Sequence, residues 1–315
     1  MANYLITGGA GFIGTNFCLY MVEKYQNDRF ICYDALTYAS NLKGIKLLKN
    51  NLNFKFIYGN ICDKKKVEKV LEKEKIDVII NFAAETHVDR SLMDAKPFIK
   101  TNVEGTQILL DCAKKFNIKR FHQVSTDEVY GDLNLEDDSF VETSNLYPSN
   151  PYSASKAAAD LLVLAYYRTY GLPCTISRCC NTYGPYQHQE KLIPMVIKKG
   201  LSNQQIPVYG TGKNIRDWIY VLDHCTAIDA IVRKGKPGEI YNVSGKCEYS
   251  NIEIIETILN QLKKPKDLIY YVNDRLGHDF RYSMDLNKIS KELKWEAKTS
   301  LLDGLAKTIK WYQED

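Results

Sequence analysis

The sequence predicts an α/β chain built on a doubly wound parallel sheet, followed by a smaller C-terminal α/β domain. Three observations carry this expectation. Short apolar runs alternate with helix-patterned segments through the first 180 residues, the first of those runs breaks into a glycine turn, and a long apolar helix precedes the sixth. Strands that alternate with helices pair in parallel, because each crossover returns the chain to the same end of the sheet, and the helices then cover both faces.

Residues 4–7 form a β-like run that breaks into Gly8-Gly9-Ala10-Gly11-Phe12-Ile13-Gly14 and then into a helical pattern through Phe17, Leu19, Met21 and Val22. Glycines let a backbone turn tightly and approach a pyrophosphate, whose charge is met by amide N–H groups at the helix N-terminus. The second strand, residues 30–33, ends in Asp34, twenty residues after Gly14. A carboxylate at that spacing accepts hydrogen bonds from a ribose 2′-hydroxyl and repels a 2′-phosphate, so the unit reads as Rossmann-type with NAD as its cofactor. The alternation continues with strands at 54–58 and 78–82, helices at 63–73 and 97–115, a strand at 121–124, a helix at 151–170 and a sixth strand at 174–178.

The strand at 121–124 stops at a hydroxyl, Ser125, and runs into Thr126-Asp127-Glu128 and a Tyr130-Gly131 turn. Ligands of open α/β sheets bind beyond the carboxyl ends of the strands, which puts this hydroxyl and acid pair at the mouth of a site. Downstream, Tyr152 and Lys156 lie four residues apart on the helix opened by Pro151, hence on one face. An ammonium beside a phenol, with a positively charged nicotinamide close by, favours the phenolate and brings a pKa of about 10 towards working pH. The pair then serves as a general base for a hydroxyl.

Composition excludes several classes. A net charge of +4 over 315 residues, with only Lys64-Lys65-Lys66 as a basic cluster, gives no footprint for nucleic acid or an anionic membrane. No apolar stretch is long enough to span a bilayer and no signal-peptide pattern precedes the first strand, so a cytoplasmic protein is expected. Nine scattered cysteines without a C-x-x-C pair point to reduced, mostly buried thiols, and no metal site is expected. The helix at 151–170 is apolar nearly all round, which suits packing in a homodimer through that helix; burial by the C-terminal part of the same chain is the alternative.

After Asn181 the alternation weakens. Arginines and lysines occur there among aromatics and turns, in Tyr183-Gly184-Pro185, Lys191-Leu192-Ile193-Pro194, Pro207-Val208-Tyr209-Gly210, Arg216-Asp217-Trp218 and Asp274-Arg275-Leu276-Gly277-His278. Arginine offers planar forks to phosphate oxygens and tyrosine stacks on a base, so the set suits a nucleoside diphosphate. The expected division is a dinucleotide-binding domain over 1–180, rejoined by part of 215–240, and a nucleotide-sugar-binding domain over 181–315.

On these segments, together with Asp34-Ala35-Leu36-Thr37 and Ala83-Ala84-Glu85-Thr86-His87-Val88-Asp89-Arg90-Ser91, the chain resembles the extended short-chain dehydrogenases/reductases that act on nucleotide sugars, and among them the dTDP-glucose 4,6-dehydratase family. The order Thr126, Asp127, Glu128 is the most specific match, because epimerases on the same fold lack that acid pair. The resemblance implies a redox-neutral dehydration of dTDP-glucose in which Tyr152, assisted by Lys156 and Thr126, serves oxidation at C4. Glu128 takes the C5 proton and a protonated Asp127 donates to the departing 6-hydroxyl. It further implies that Gly8, Gly11, Phe12, Ile13, Gly14, Asp34, Leu36, Thr37, Asn60, Ile61, Ala83, Ala84, Thr101, Tyr152, Lys156 and Thr182 hold NAD. The nucleotide sugar falls to Thr86, His87, Thr126, Asn181, Lys191, Leu192, Pro207, Tyr209, Arg216, Asn251, Asp274 and His278. Four positions depart from the family pattern: Asn60 replaces an aspartate, Thr86 a serine, Thr182 an asparagine and Leu276 a proline.

Overall fold

The computed structural model describes residues 1–274 and 277–314; Arg275 and Leu276, singled out above, lie outside the described residues. In chain order the strands are β1 (Asn3–Thr7), β2 (Arg29–Asp34), β3 (Phe54–Tyr58), β4 (Val78–Asn81), β5 (Arg120–Thr126), β6 (Cys174–Cys179), β7 (Asn181–Tyr183), β8 (Ile206–Tyr209), β9 (Ile215–Tyr220), β10 (Ile240–Val243), β11 (Glu248–Ser250) and β12 (Ile269–Val272). Seven of them make one sheet in the order β3-β2-β1-β4-β5-β6-β10, with every neighbouring pair parallel. Two small sheets, β11-β9-β7 and β12-β8, stand apart from it.

The fold class read from the sequence is the one observed. Strand order reverses between β1 and β4, which opens a crevice at their carboxyl ends where the glycine turn and Ala83 meet. Leu5, Ile6, Ile31, Ile79 and Ile80 are fully buried at the centre of the sheet, as parallel strands covered on both faces require. Three details differ from the sequence reading. β5 runs on through Thr126, which pairs with Cys179 of β6, so the acid pair begins at the strand end in a 3-10 turn, Asp127–Val129. The helix expected over 97–115 is interrupted by a π-helical segment, Ile99–Gly105, whose wide turn buries Asn102. The seventh strand, β10, is added beside β6 by a chain segment that has already crossed the small sheets.

The helix Pro151–Tyr170 is well specified locally. Asn150 and Ser153 form a reciprocal capping box, Pro151 occupies the first turn, and Gly171 ends the helix at φ +67°. Its inner face bonds to the sheet through charge. Lys156 Nζ donates to the Val124 carbonyl at 2.7 Å, and Arg178 Nε of β6 donates to Asp160 Oδ2 at 2.9 Å in a pair that is 2% and 0% exposed. The Arg178 guanidinium also lies 4.7 Å from the centre of the Tyr130 ring. Removing one partner of such a pair leaves an uncompensated buried charge. Arg178→Met is therefore expected to lower stability by about 3–5 kcal/mol, measured by urea unfolding; a loss below about 1 kcal/mol contradicts this account of how the helix is held.

Candidate functional site

The turn after β1 is shaped for close approach. Gly8 takes φ +66°, and a Cβ there would stand 2.6 Å from the Ala83 nitrogen; a Cβ at Gly14 would stand 2.3 Å from the Gly8 carbonyl oxygen. Only glycine allows both the turn and the helix Phe12–Lys24 packed against it. Asp34, at the end of β2, fixes this turn from the side. Its carboxylate accepts from the Ala10 N–H at 2.9 Å, the Leu36 N–H at 2.7 Å and the Ser40 hydroxyl at 3.0 Å.

A cavity of ≈ 320 Å³ extends from this turn to the ends of β5 and β6. Of the positions expected to hold the cofactor, Gly8, Gly11, Phe12, Ile13, Gly14, Asp34, Thr37, Asn60, Ile61, Ala83, Ala84, Thr101, Tyr152, Lys156 and Thr182 line it; Leu36 does not, and contributes its backbone N–H to Asp34 instead. Thr126, Asp127 and Glu128 line the same cavity, as do Thr86, Asn181 and Lys191 from the expected sugar-nucleotide set.

The remaining members of that set lie off the cavity wall. His87 belongs to the loop after β4, Leu192 opens the helix Leu192–Leu201, and Pro207 and Tyr209 lie on β8. Asn251 begins the helix Asn251–Leu262 and donates its N–H to the Asn214 carbonyl at 3.0 Å. His278 Nδ1 lies 2.6 Å from Asp274 Oδ1. Arg216 of β9 is buried; its guanidinium donates to the carbonyls of Ile215, Asp279 and Phe280 and stacks 4.4 Å from the Tyr282 ring centre.

Electrostatics separates the roles of the acids. Asp127 is buried, and burial first, then the charge of Glu128, pushes its carboxyl well above the ordinary carboxylate range. Thr126 Oγ1 donates to Asp127 Oδ1 at 3.2 Å, while Oδ2 has no hydrogen-bond partner among the described residues, as suits a protonated acid. Glu128 is half-buried, and its N–H donates to the same threonine oxygen at 3.3 Å.

The phenol of Tyr152 is likewise pushed well above its usual value, by burial and then by Glu128, against a lowering hydrogen bond with Thr126. Lys156 is not among the causes of this shift, whereas the sequence reading set the ammonium together with a positively charged nicotinamide beside the phenol. The Lys156 ammonium donates to the Val124 carbonyl, and burial brings it down to about 8 against the raising charge of Asp160.

Sequence reading missed several lining residues: Tyr33, Ser40, Glu85, Cys179, Cys180, Gln187, His188, Glu190 and His224. Glu85 stood inside a quoted segment. His224, whose Nδ1 lies 3.0 Å from Thr182 Oγ1, left no signal, because it reaches the cavity from the helix Val221–Lys234, in a segment expected only to rejoin the dinucleotide-binding domain. Burial pushes the Cys179 thiol up, yet hydrogen bonds with Cys180, His224 and Thr182 together with the His224 charge outweigh it and bring it down to about 5. All nine cysteines are free, and among the described residues no three His, Cys, Asp or Glu side chains are grouped to hold a metal.

A glycine cradle for a diphosphate, a buried tyrosine and lysine on one helix face and a buried carboxyl of raised pKa beside a second carboxyl suit a dinucleotide-dependent enzyme that moves both hydride and protons. Comparison with known proteins narrows this class. The family model described as GDP-mannose 4,6 dehydratase matches residues 5–308. The chain is 44% identical to a dTDP-glucose 4,6-dehydratase of Haemophilus influenzae, over 99% of this chain and 98% of that protein. It is 47% identical to a low-salt glycan biosynthesis protein of Haloferax volcanii, over 99% and 98%. A dTDP-glucose 4,6-dehydratase of Streptomyces venezuelae, solved with NAD and TYD bound, superposes with a TM-score of 0.96 at 43% identity, covering 99% of this chain and 97% of that one. The chain belongs to the dTDP-glucose 4,6-dehydratase family of NAD-dependent nucleotide-sugar enzymes.

The raised Asp127 makes a stability prediction. A carboxyl whose folded pKa lies above its unfolded one is destabilising once pH exceeds the unfolded value, because the unfolded chain then ionises more readily. Asp127→Asn is expected to raise Tm at pH 7, by about 2–4 °C per kcal/mol relieved, with the gain vanishing near pH 3. A lower Tm at pH 7 in thermal scans overturns the assignment.

Proposed function

We propose that this chain converts dTDP-glucose to dTDP-4-keto-6-deoxy-glucose, with NAD reduced and reoxidised in each turnover. The observation that carries the reading is the buried Asp127, its carboxyl pushed well above the ordinary carboxylate range, beside Glu128 on the same cavity wall as Tyr152 and Lys156. An epimerase has no water to eliminate and no use for a protonated carboxyl of this kind.

Gly8, Gly11 and Gly14 suit the pyrophosphate of NAD, Asp34 the adenine ribose, and Asn60 and Ile61 the adenine side of the cavity. Bound there, NAD supplies a hydride acceptor and donor together with the positive charge that Tyr152 needs to ionise. Tyr152 takes the proton of the sugar 4-hydroxyl as the C4 hydrogen departs as hydride, with Thr126 hydrogen-bonding O4. Lys156, fixed against the Val124 carbonyl, keeps positive charge on the same helix face. The new 4-ketone acidifies C5–H, and Glu128, the less buried carboxylate, removes that proton. Asp127 gives its proton to the 6-hydroxyl, which leaves as water. The hydride returns to C6 and Glu128 returns its proton to C5. The proton gained by Tyr152 replaces the one lost by Asp127, so the cycle closes without net acid or base.

Thr86, His87, Asn181, Lys191, Leu192, Pro207, Tyr209, Arg216, Asn251, Asp274 and His278 form our proposed sugar-nucleotide set, with Arg216 on the diphosphate. In this reading 1–180, rejoined by part of 215–240, serves the cofactor and 181–315 the nucleotide sugar. The helix Pro151–Tyr170 leaves Leu161 58% exposed, beyond Ala154 and Ala165 on the same outward side, and this supports a homodimer through that helix. Free, mostly buried thiols support a cytoplasmic protein, and no described helix is long and apolar enough to cross a membrane.

The test is to incubate the purified protein with dTDP-glucose and, separately, UDP-glucose and follow the mass of each nucleotide sugar. Loss of one water from the thymidine compound, faster than from the uridine one and without net NADH, is expected. Unchanged masses for both overturn the reading.

A further inference from the structure

We infer that Asp132 is a positioning residue for Arg216: acting through two consecutive peptide groups, it fixes the guanidinium that meets the diphosphate of the nucleotide sugar. The inference rests on the function proposed above, which sets Arg216 on that diphosphate.

Asp132 follows the Tyr130-Gly131 turn, four residues beyond Glu128, and is exposed. Its Oδ1 accepts hydrogen bonds from two successive backbone N–H groups, Phe280 at 2.6 Å and Arg281 at 3.0 Å. Each of these N–H groups shares a peptide plane with a carbonyl that receives the Arg216 guanidinium. The Phe280 N–H belongs with the Asp279 carbonyl, which accepts from Arg216 Nη2 at 2.8 Å. The Arg281 N–H belongs with the Phe280 carbonyl, which accepts from Nη1 at 3.2 Å. The N–H and C=O of a trans peptide point to opposite sides, so Asp132 and Arg216 grip the segment 279–281 from its two edges.

Successive N–H groups that converge on one oxygen form a nest, and a peptide bonded at both ends is polarised so that each bond strengthens the other. The Arg216 side depends on this hold. Nη1 also donates to the Ile215 carbonyl at 2.7 Å, so three of the five guanidinium donors go to carbonyls, and the ring of Tyr282 lies 4.4 Å away on its face. Two donors are left for phosphate oxygens, and because the group is planar and rigid their direction follows from the carbonyls that hold the other three. With Asp132 removed, two of those three carbonyls belong to peptides that can tilt. The segment itself stays attached, since the Leu133 N–H donates to the Arg281 carbonyl at 3.1 Å and the Ile215 N–H to the Phe280 carbonyl at 2.7 Å. Asp132 comes from the turn that follows the acid pair, so the same relay sets the diphosphate arginine against Asp127 and Glu128.

The test is calorimetric titration of the full chain with thymidine diphosphate under saturating NAD, and separately with NAD alone. Asp132→Ala is expected to bind thymidine diphosphate about tenfold more weakly, the change from losing about 1.4 kcal/mol, while its affinity for NAD stays within about threefold of wild type. Asp132→Asn keeps an oxygen acceptor at the same place and is expected to stay within about threefold of wild type for both ligands. A general loosening of the fold instead weakens both ligands and is not repaired by asparagine. Thymidine diphosphate binding by Asp132→Ala within about threefold of wild type, an equal loss of NAD affinity, or an asparagine variant as weak as the alanine one overturns the inference. Failure of the wild-type protein to bind thymidine diphosphate overturns the functional reading itself, so the two failures are distinct.

Discussion

The helix Pro151–Tyr170 is pinned to the sheet by buried charge, and the site exists only because it is pinned. Ridges of small and aliphatic side chains set how closely a helix can approach a sheet but leave it free to slide. Two charge-bearing ties remove that freedom here, Lys156 to the Val124 carbonyl and Asp160 to Arg178. A third chain runs from the other side: Asn102 of the π-helical segment bonds Glu85 through both its N–H and its carbonyl, and donates to Ser155 Oγ at 2.8 Å, which in turn donates to the Tyr152 carbonyl. Tyr152 is thereby placed relative to β5, to β6 and to the loop after β4 at once. Polar ties are directional, and in a dry interior a misplaced one leaves an unsatisfied group.

The same burial that fixes the helix sets the chemistry. Desolvation is the first cause of the shifts at Asp127, Tyr152 and Lys156, and in each it disfavours the charged form. The carboxyl of Asp127 and the phenol of Tyr152 therefore hold their protons more tightly than in water, and Lys156 holds its proton less tightly. Glu128 is less buried than Asp127. A positive charge brought into this dry interior by a ligand acts strongly on a buried phenol such as that of Tyr152.

Much of this was legible in the sequence, and the exceptions have physical causes. β1 to β6 were readable because each is an apolar run ending at a turn signal, and the glycine turn and Asp34 because their spacing reports a local geometry. β10 was not readable: Ile240-Tyr241-Asn242-Val243 is four residues long, and its partner β6 lies about sixty positions earlier, so no local pattern announces the pairing. Spacing on a helix gives Tyr152 and Lys156 a shared face but not the direction in which an ammonium points, so the bond of Lys156 to the Val124 carbonyl was not legible. Arg216 was correctly seen as an arginine among aromatics, yet nothing in the sequence indicates the backbone carbonyls that now receive its donors.

In the proposed cycle one cleft oxidises C4, expels water across C5 and C6 and reduces C6 with the same hydride. The most direct measurement follows dTDP-glucose carrying deuterium at C4. Product with that deuterium at C6, formed without net NADH, is the result this account predicts. Deuterium that appears in a released cofactor pool or is lost to solvent, with C6 carrying none, contradicts it.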